Sequence, residues 1–77
     1  NAYEVEIMEY SKISIKEDFI RLDSAMKLGN LVVTGGHAKI VIQEGEVKVN
    51  GEICTMRGKK LYKGDKVEYD SLGIEIV

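Results

Sequence analysis

Apolar and polar residues alternate near both ends of the chain and switch to a helical spacing between them. Tyr3, Val5 and Ile7 alternate with Glu4 and Glu6, and Ile13 and Ile15 alternate with Ser14 and Lys16. Both runs predict short strands. Glu17-Asp18 interrupts the pattern, and Phe19-Ile20 leads into a helix with the apolar stripe Leu22, Ala25 and Met26. Gly29 reads as the left-handed stop of that helix, with Asn30 able to serve as well. Leu31-Val32-Val33 reads as a buried connector. Thr34 is the expected N-cap of a second helix, whose stripe is Ala38, Val41 and Ile42 and whose end is Gly45. Each helix runs two or three turns, too few to be stable alone in water, so both must pack on each other and on the strands.

The period returns to two at Val47 and Val49, with Lys48 and Asn50 on the opposite face. Asn50-Gly51 supplies the two positive-φ residues of a tight hairpin turn. The chain returns through Ile53 to Thr55, and Met56 to Lys60 is a loop rich in positive charge. Lys63-Gly64-Asp65 turns, Val67 and Tyr69 form another strand, Asp70-Ser71-Leu72-Gly73 turns again, and Ile74-Glu75-Ile76 closes the sheet. This order predicts an α+β fold, a short helix pair packed on a small antiparallel sheet.

Seventy-seven residues, 44% apolar and 31% charged, predict one globular domain over 3–77, with Asn1-Ala2 read as a cloning remnant. The apolar runs are far shorter than a membrane span, and no charged-then-apolar leader opens the chain, so neither membrane insertion nor secretion is expected. Cys54 is the only cysteine, which excludes an internal disulfide and a cysteine-cluster zinc site and fits the cytoplasm. Net charge is −2, but its distribution is uneven. Three cations face six anions over 1–26, seven face three over 27–63, and one faces four over 64–77. A local field of this kind, rather than the total, attracts a polyanion.

The candidate chemistry lies in that basic middle. Thr34-Gly35-Gly36 opens a helix, where free amides and the positive dipole end offer a phosphate seat; a flexible turn is the plainer reading. If the apolar stripes face inward, several of Lys27, Lys39, Lys48, Arg57, Lys59 and Lys60 can lie on one surface, and a polynucleotide ligand requires the cations to converge beside that opening. Arg57 stands out because its planar fork holds a phosphate with two bonds. His37 has no His or Cys partner, so it reads as a neutral surface residue able to hydrogen-bond a nucleotide. Cys54, between Ile53 and Thr55, reads as a small half-buried strand residue. No nucleophile–base pair, phosphate loop, dinucleotide fingerprint or metal spacing is present, so no catalytic residue, metal or cofactor is expected.

Arg21-Leu22-Asp23, Lys27-Leu28, Thr34-Gly35-Gly36-His37-Ala38-Lys39, the run Ile42 to Glu52 and Gly64-Asp65 together resemble the S-four-like RNA-binding domain, from about Ile13 to Tyr69. With the Arg57-Gly58-Lys59-Lys60-Leu61 loop they look most like its small stand-alone bacterial members, the YaaA/YbcJ type. The resemblance implies a helix pair leading into a β-hairpin, the αL motif, with structured RNA held across helices and strand. Carried over by position, the implied contacts are Thr34, Gly36, Lys39, Lys48, Asn50, Arg57 and Lys59. Many members place an Arg directly after the Ser/Thr cap, where this chain has Gly35.

The function expected is therefore a non-catalytic, cytoplasmic, monomeric RNA-binding protein whose partner is ribosomal or similar structured RNA, with the ribosome or its assembly proteins as further partners. The alternative is a protein-interaction adaptor of the ribosome or a nucleic-acid enzyme, docking through an acidic sheet that includes Glu4 and Glu68. The aromatic residues are Tyr3, Tyr10, Phe19, Tyr62 and Tyr69, and their positions predict no stacking pair in the motif region. Recognition of a folded surface is thus expected over reading of single strands.

Overall fold

The computed structural model describes residues 10–77, so the strand pattern at Tyr3 to Ile7, Glu4 and the Asn1-Ala2 pair lie outside the described residues. The elements run β1 (Tyr10–Ile13), β2 (Ile20–Arg21), α1 (Leu22–Leu28), α2 (Gly35–Gln43), β3 (Val47–Val49), β4 (Glu52–Ile53), β5 (Lys60–Leu61), β6 (Lys66–Tyr69) and β7 (Leu72–Ile76). A five-stranded sheet has the order β1-β7-β6-β3-β4, and β2 and β5 form a separate two-stranded ribbon. The α+β architecture is the expected one, a helix pair packed on a small sheet, but the sheet is mixed. β1 runs parallel to β7, while every other pairing in the sheet is antiparallel. Strands joined by tight turns must be antiparallel; β1 and β7 are separated by most of the chain, which leaves their direction free.

One face of the sheet is apolar. Val47, Val49, Val67, Ile74, Ile76 and Ile13 point the same way and are buried against Leu22, Ala25 and Met26 of α1 and Ala38, Val41 and Ile42 of α2. Both predicted helical stripes are therefore the core stripes. The connector divides: Leu31 and Val32 are buried, whereas Val33 is 85% exposed. Its three apolar residues cannot all face inward because the chain must turn there to start α2. No side-chain polar group among the described residues is buried without a partner.

At the end of α1 the second of the two expected stops is the one used. Asn30, not Gly29, takes the left-handed conformation (φ 61°), while Gly29 has φ −86°. Gly29 is needed for space. A Cβ there would lie 2.6 Å from Cγ2 of Ile74 and 3.3 Å from the Ala25 carbonyl. Glycine lets the end of the helix touch β7. The β3–β4 turn is as predicted, with Asn50 at φ 53° and Gly51 at 88°.

Candidate nucleic-acid interface

The basic loop is fixed by backbone hydrogen bonds. The amide of Leu22 donates to the Lys59 carbonyl (2.8 Å) and that of Asp23 to the Arg57 carbonyl (3.1 Å). These are amides of the first turn of α1, which have no partner inside the helix. Arg21, the residue before the helix, makes no side-chain cap, so the loop carbonyls do that work. The consequence is positional: Arg57, Gly58 and Lys59 are held at the start of α1. Arg21 joins them. It pairs with Lys60 across the β2–β5 ribbon, and a Cβ on Gly58 would meet its guanidinium at 3.6 Å. Arg21, Arg57, Lys59 and Lys60 thus form one basic corner, with Asp23 the carboxylate inside it, 3.1 Å from the Arg21 guanidinium.

The second anion-attracting feature lies at the far end of α1. Thr34 caps α2 as predicted, its Oγ1 accepting from the His37 amide at 3.0 Å. Gly35 and Gly36 follow in the open. A Cβ at Gly35 would meet nothing within 4 Å, and one at Gly36 only the Thr34 hydroxyl at 3.9 Å. The protein's own packing does not require glycine here, although glycine costs a helix interior up to about 1 kcal/mol relative to alanine. What two glycines provide is room for an outside atom near the helix amides. His37 is exposed, its ring edge-on to Tyr69 at 6.3 Å. Lys27, in the last turn of α1, and Lys39, on α2, are exposed as well.

Three sequence-derived expectations need correction. The cations do not all converge beside the opening of α2. Arg57, Lys59 and Lys60 gather at the start of α1, whose first amides bond their loop, whereas the Thr34 turn follows the other end of that seven-residue helix. Lys48 lies on the sheet face turned away from the helices, because its neighbours Val47 and Val49 are the ones buried; it stands opposite Glu68 and Ile53. Asn50 is occupied: its side chain donates to Asp65 Oδ1 (3.0 Å) and accepts from the Lys66 amide (2.9 Å). It ties the hairpin to β6.

The sheet's outer face is polar and mixed in sign. Lys12, Lys48 and Lys66 alternate with Glu68 and Glu75 across paired strands. Tyr10 reaches over Gly73 and donates its hydroxyl to Glu68 at 2.6 Å. That hydrogen bond, then burial, then the carboxylate's charge raise the Tyr10 phenol above its ordinary value. Among the described residues this face is mixed in sign; Glu4, which the adaptor alternative also invoked, lies outside them.

Sequence reading missed Arg21 and an aromatic pair. Phe19 and Tyr62 lie 6.3 Å apart, tilted at 53°, with Lys60 Nζ 4.7 Å from the Phe19 centroid. The available signal was a period of two, Phe19-Ile20-Arg21 against Lys60-Leu61-Tyr62, with the aliphatic residue central in each triplet. An open depression of about 240 Å³ lies between the hairpin and the basic loop, lined by Ile53, Cys54, Met56 and Lys59 among others. Cys54 is half-buried, its thiol 3.7 Å from the Met56 carbonyl. Among the described residues no cluster of His, Cys, Asp and Glu could hold a metal ion, and no helix is long and apolar enough to cross a membrane.

Comparison with known proteins agrees with this architecture. The family model of the S4 domain matches residues 13–77. RlbA of Bacillus subtilis (strain 168), named a probable ribosome maturation protein, is 44% identical over 61 residues, which cover 79% of this chain and 86% of that protein. YbcJ of Escherichia coli (strain K12) is 32% identical over 62 residues, covering 80% and 89%. The solution structure of Escherichia coli YbcJ, described as revealing an αL motif involved in RNA binding, superposes with a TM-score of 0.70 at 29% identity, over 94% of this chain and 92% of that one.

Proposed function

The chain belongs to the S4 domain family, and from that premise we propose that it is a non-catalytic cytoplasmic protein that binds structured RNA, ribosomal or similar, along the helix pair. The observation that carries the reading is the anchoring of Arg57 and Lys59 to the first amides of α1. It fixes the loop backbone from which the Arg57 and Lys59 side chains project beside the start of α1, so the loop itself is already ordered when phosphates arrive. The contact surface runs from the corner of Arg57, Lys59 and Lys60, past Lys27, to Thr34, Gly35, Gly36, His37 and Lys39. An RNA backbone crossing α1 meets cations at one end and open amides at the other. Two features favour a folded RNA over a bare strand: the two anion-attracting places are separate and fixed, and no line of aromatic residues joins them. The resemblance of the chain to a protein named for ribosome maturation favours ribosomal RNA among folded RNAs.

Titration of a folded ribosomal RNA fragment at several salt concentrations tests this. With about five phosphates engaged, the logarithm of affinity falls by roughly 3.5–4.5 for each tenfold rise in salt. A nearly flat dependence overturns the proposal. The adaptor reading receives no comparable support, since the outer sheet face interleaves three lysines with its two glutamates.

A further inference from the structure

We propose that the outward face of the β2–β5 ribbon is a stacking platform for one unpaired nucleotide at the margin of the bound RNA. This rests on the RNA-binding reading above and adds to it a subsite of different chemistry. The ribbon is antiparallel with Ile20 opposite Leu61 and Arg21 opposite Lys60, and the same register carries Phe19 opposite Tyr62. Side chains alternate along each strand. Leu61 is fully buried and Ile20 packs against the core, so Phe19, Arg21, Lys60 and Tyr62 share the other face. The result is a square of two rings and two cations.

The rings are open to solvent, Phe19 at 37% and Tyr62 at 50% exposure. A pair whose sole task was to close the ribbon would gain from deeper burial. The platform is also held still. The Tyr62 amide donates to Asp65 Oδ2 at 2.7 Å, and the other oxygen of that carboxylate is tied to Asn50. Lys60 lies over Phe19, and the guanidinium of Arg21 sits beside Gly58 in the basic loop. A base stacked on the exposed ring of Tyr62 would leave its phosphate within the field of Lys60 and Arg21, continuous with the corner that holds the folded RNA. Bases stack on aromatic rings with little regard to identity, so the subsite takes any base and favours purines for their area.

The test uses the whole chain and two RNAs: a blunt hairpin, and the same hairpin with a 3′ adenosine tail. The tail should tighten binding about five- to hundredfold. Tyr62→Leu with Phe19→Leu keeps apolar bulk on the ribbon and should abolish the tail's advantage while leaving the blunt hairpin's affinity unchanged. A 4-thiouridine placed in the tail should crosslink to Tyr62 or Phe19 of the unaltered protein, a result independent of how the variant folds. Binding of the hairpin with no gain from the tail, or crosslinks confined to α2, overturns the platform alone. Failure to bind either RNA overturns the RNA-binding reading and the platform with it. Displacement of the tail by an equal concentration of adenosine monophosphate would make this a free-nucleotide site and also overturn the proposal.

Discussion

The two sides of the molecule handle charge differently. On the outer face of the sheet, cations and anions alternate across paired strands: Lys48 faces Glu68, Lys66 faces Glu75, and Tyr10 spends its hydroxyl on Glu68. On the helix side, Arg21, Arg57, Lys59 and Lys60 share one corner at the start of α1, where Arg21 pairs with Asp23. The first arrangement is balanced in sign. The second pairs Arg21 with Asp23 at 3.1 Å and leaves Arg57, Lys59 and Lys60 in excess, a local positive field that a polyanion would neutralise. The basic middle of the sequence therefore counts less than the sorting of its residues between the two sides.

The comparison breaks most sharply at Arg57 and Lys59. Replacing both with alanine should weaken RNA binding about tenfold to hundredfold, the loss of roughly 1.5–3 kcal/mol expected for charge-assisted hydrogen bonds. It should also flatten the salt dependence by about one unit per cation lost. Anisotropy titrations in a salt series would read both, and an unchanged slope would place the interface elsewhere. Gly29→Ala strikes the joint where the helix side rests on the sheet. Its methyl group meets Ile74, so stability should fall by about 1–3 kcal/mol, seen as a lower midpoint in urea with an unchanged slope.

Smaller effects sharpen the picture. Thr34→Ala removes the cap of α2 and should cost about 1 kcal/mol; it also loosens the Gly35-Gly36 opening, so RNA affinity should drop beyond what unfolding explains. Tyr10 offers a pH signature on the outer face. Its phenol is raised above the ordinary value of 10, so the neutral form is favoured in the fold. The stabilisation is fully present below that ordinary value and disappears as pH rises through the raised one. Thermal melts on either side should show a small alkaline loss that Tyr10→Phe abolishes. Lys48→Ala should be the quietest of all, with RNA affinity kept within about twofold; a larger loss would bring the outer face into the interface.

Much of the fold was legible where the signal was long enough to have a period. Both helical stripes are the ones that face the core, Thr34 is the cap, and Asn50-Gly51 is the turn. The ribbon was missed because its strands of two residues leave an alternation of only three residues on each side, Phe19-Ile20-Arg21 and Lys60-Leu61-Tyr62, and Lys60 read as part of a loop. Gly29 shows a subtler limit. A glycine after a helix stripe signals a left-handed stop, yet here the positive φ falls on Asn30 and the glycine answers to a neighbour 45 positions away in β7. The candidate residues were found by type and order, but their grouping was not. Lys48 and Lys39 look equivalent in the sequence, and the burial of Val47 and Val49 is what turns Lys48 away from the helices.

Local chemistry alone determined both helices, the Thr34 cap, the Asn50-Gly51 turn and the family to which the motifs point, because each of those depends on residues a few positions apart. The parallel pairing of β1 with β7, the attachment of the basic loop to α1 and the meeting of Phe19 with Tyr62 were decided only by the folded chain. Each joins segments about 30 residues apart or more, and no spacing rule reaches that far; which side of the molecule a charge occupies follows from those distant contacts.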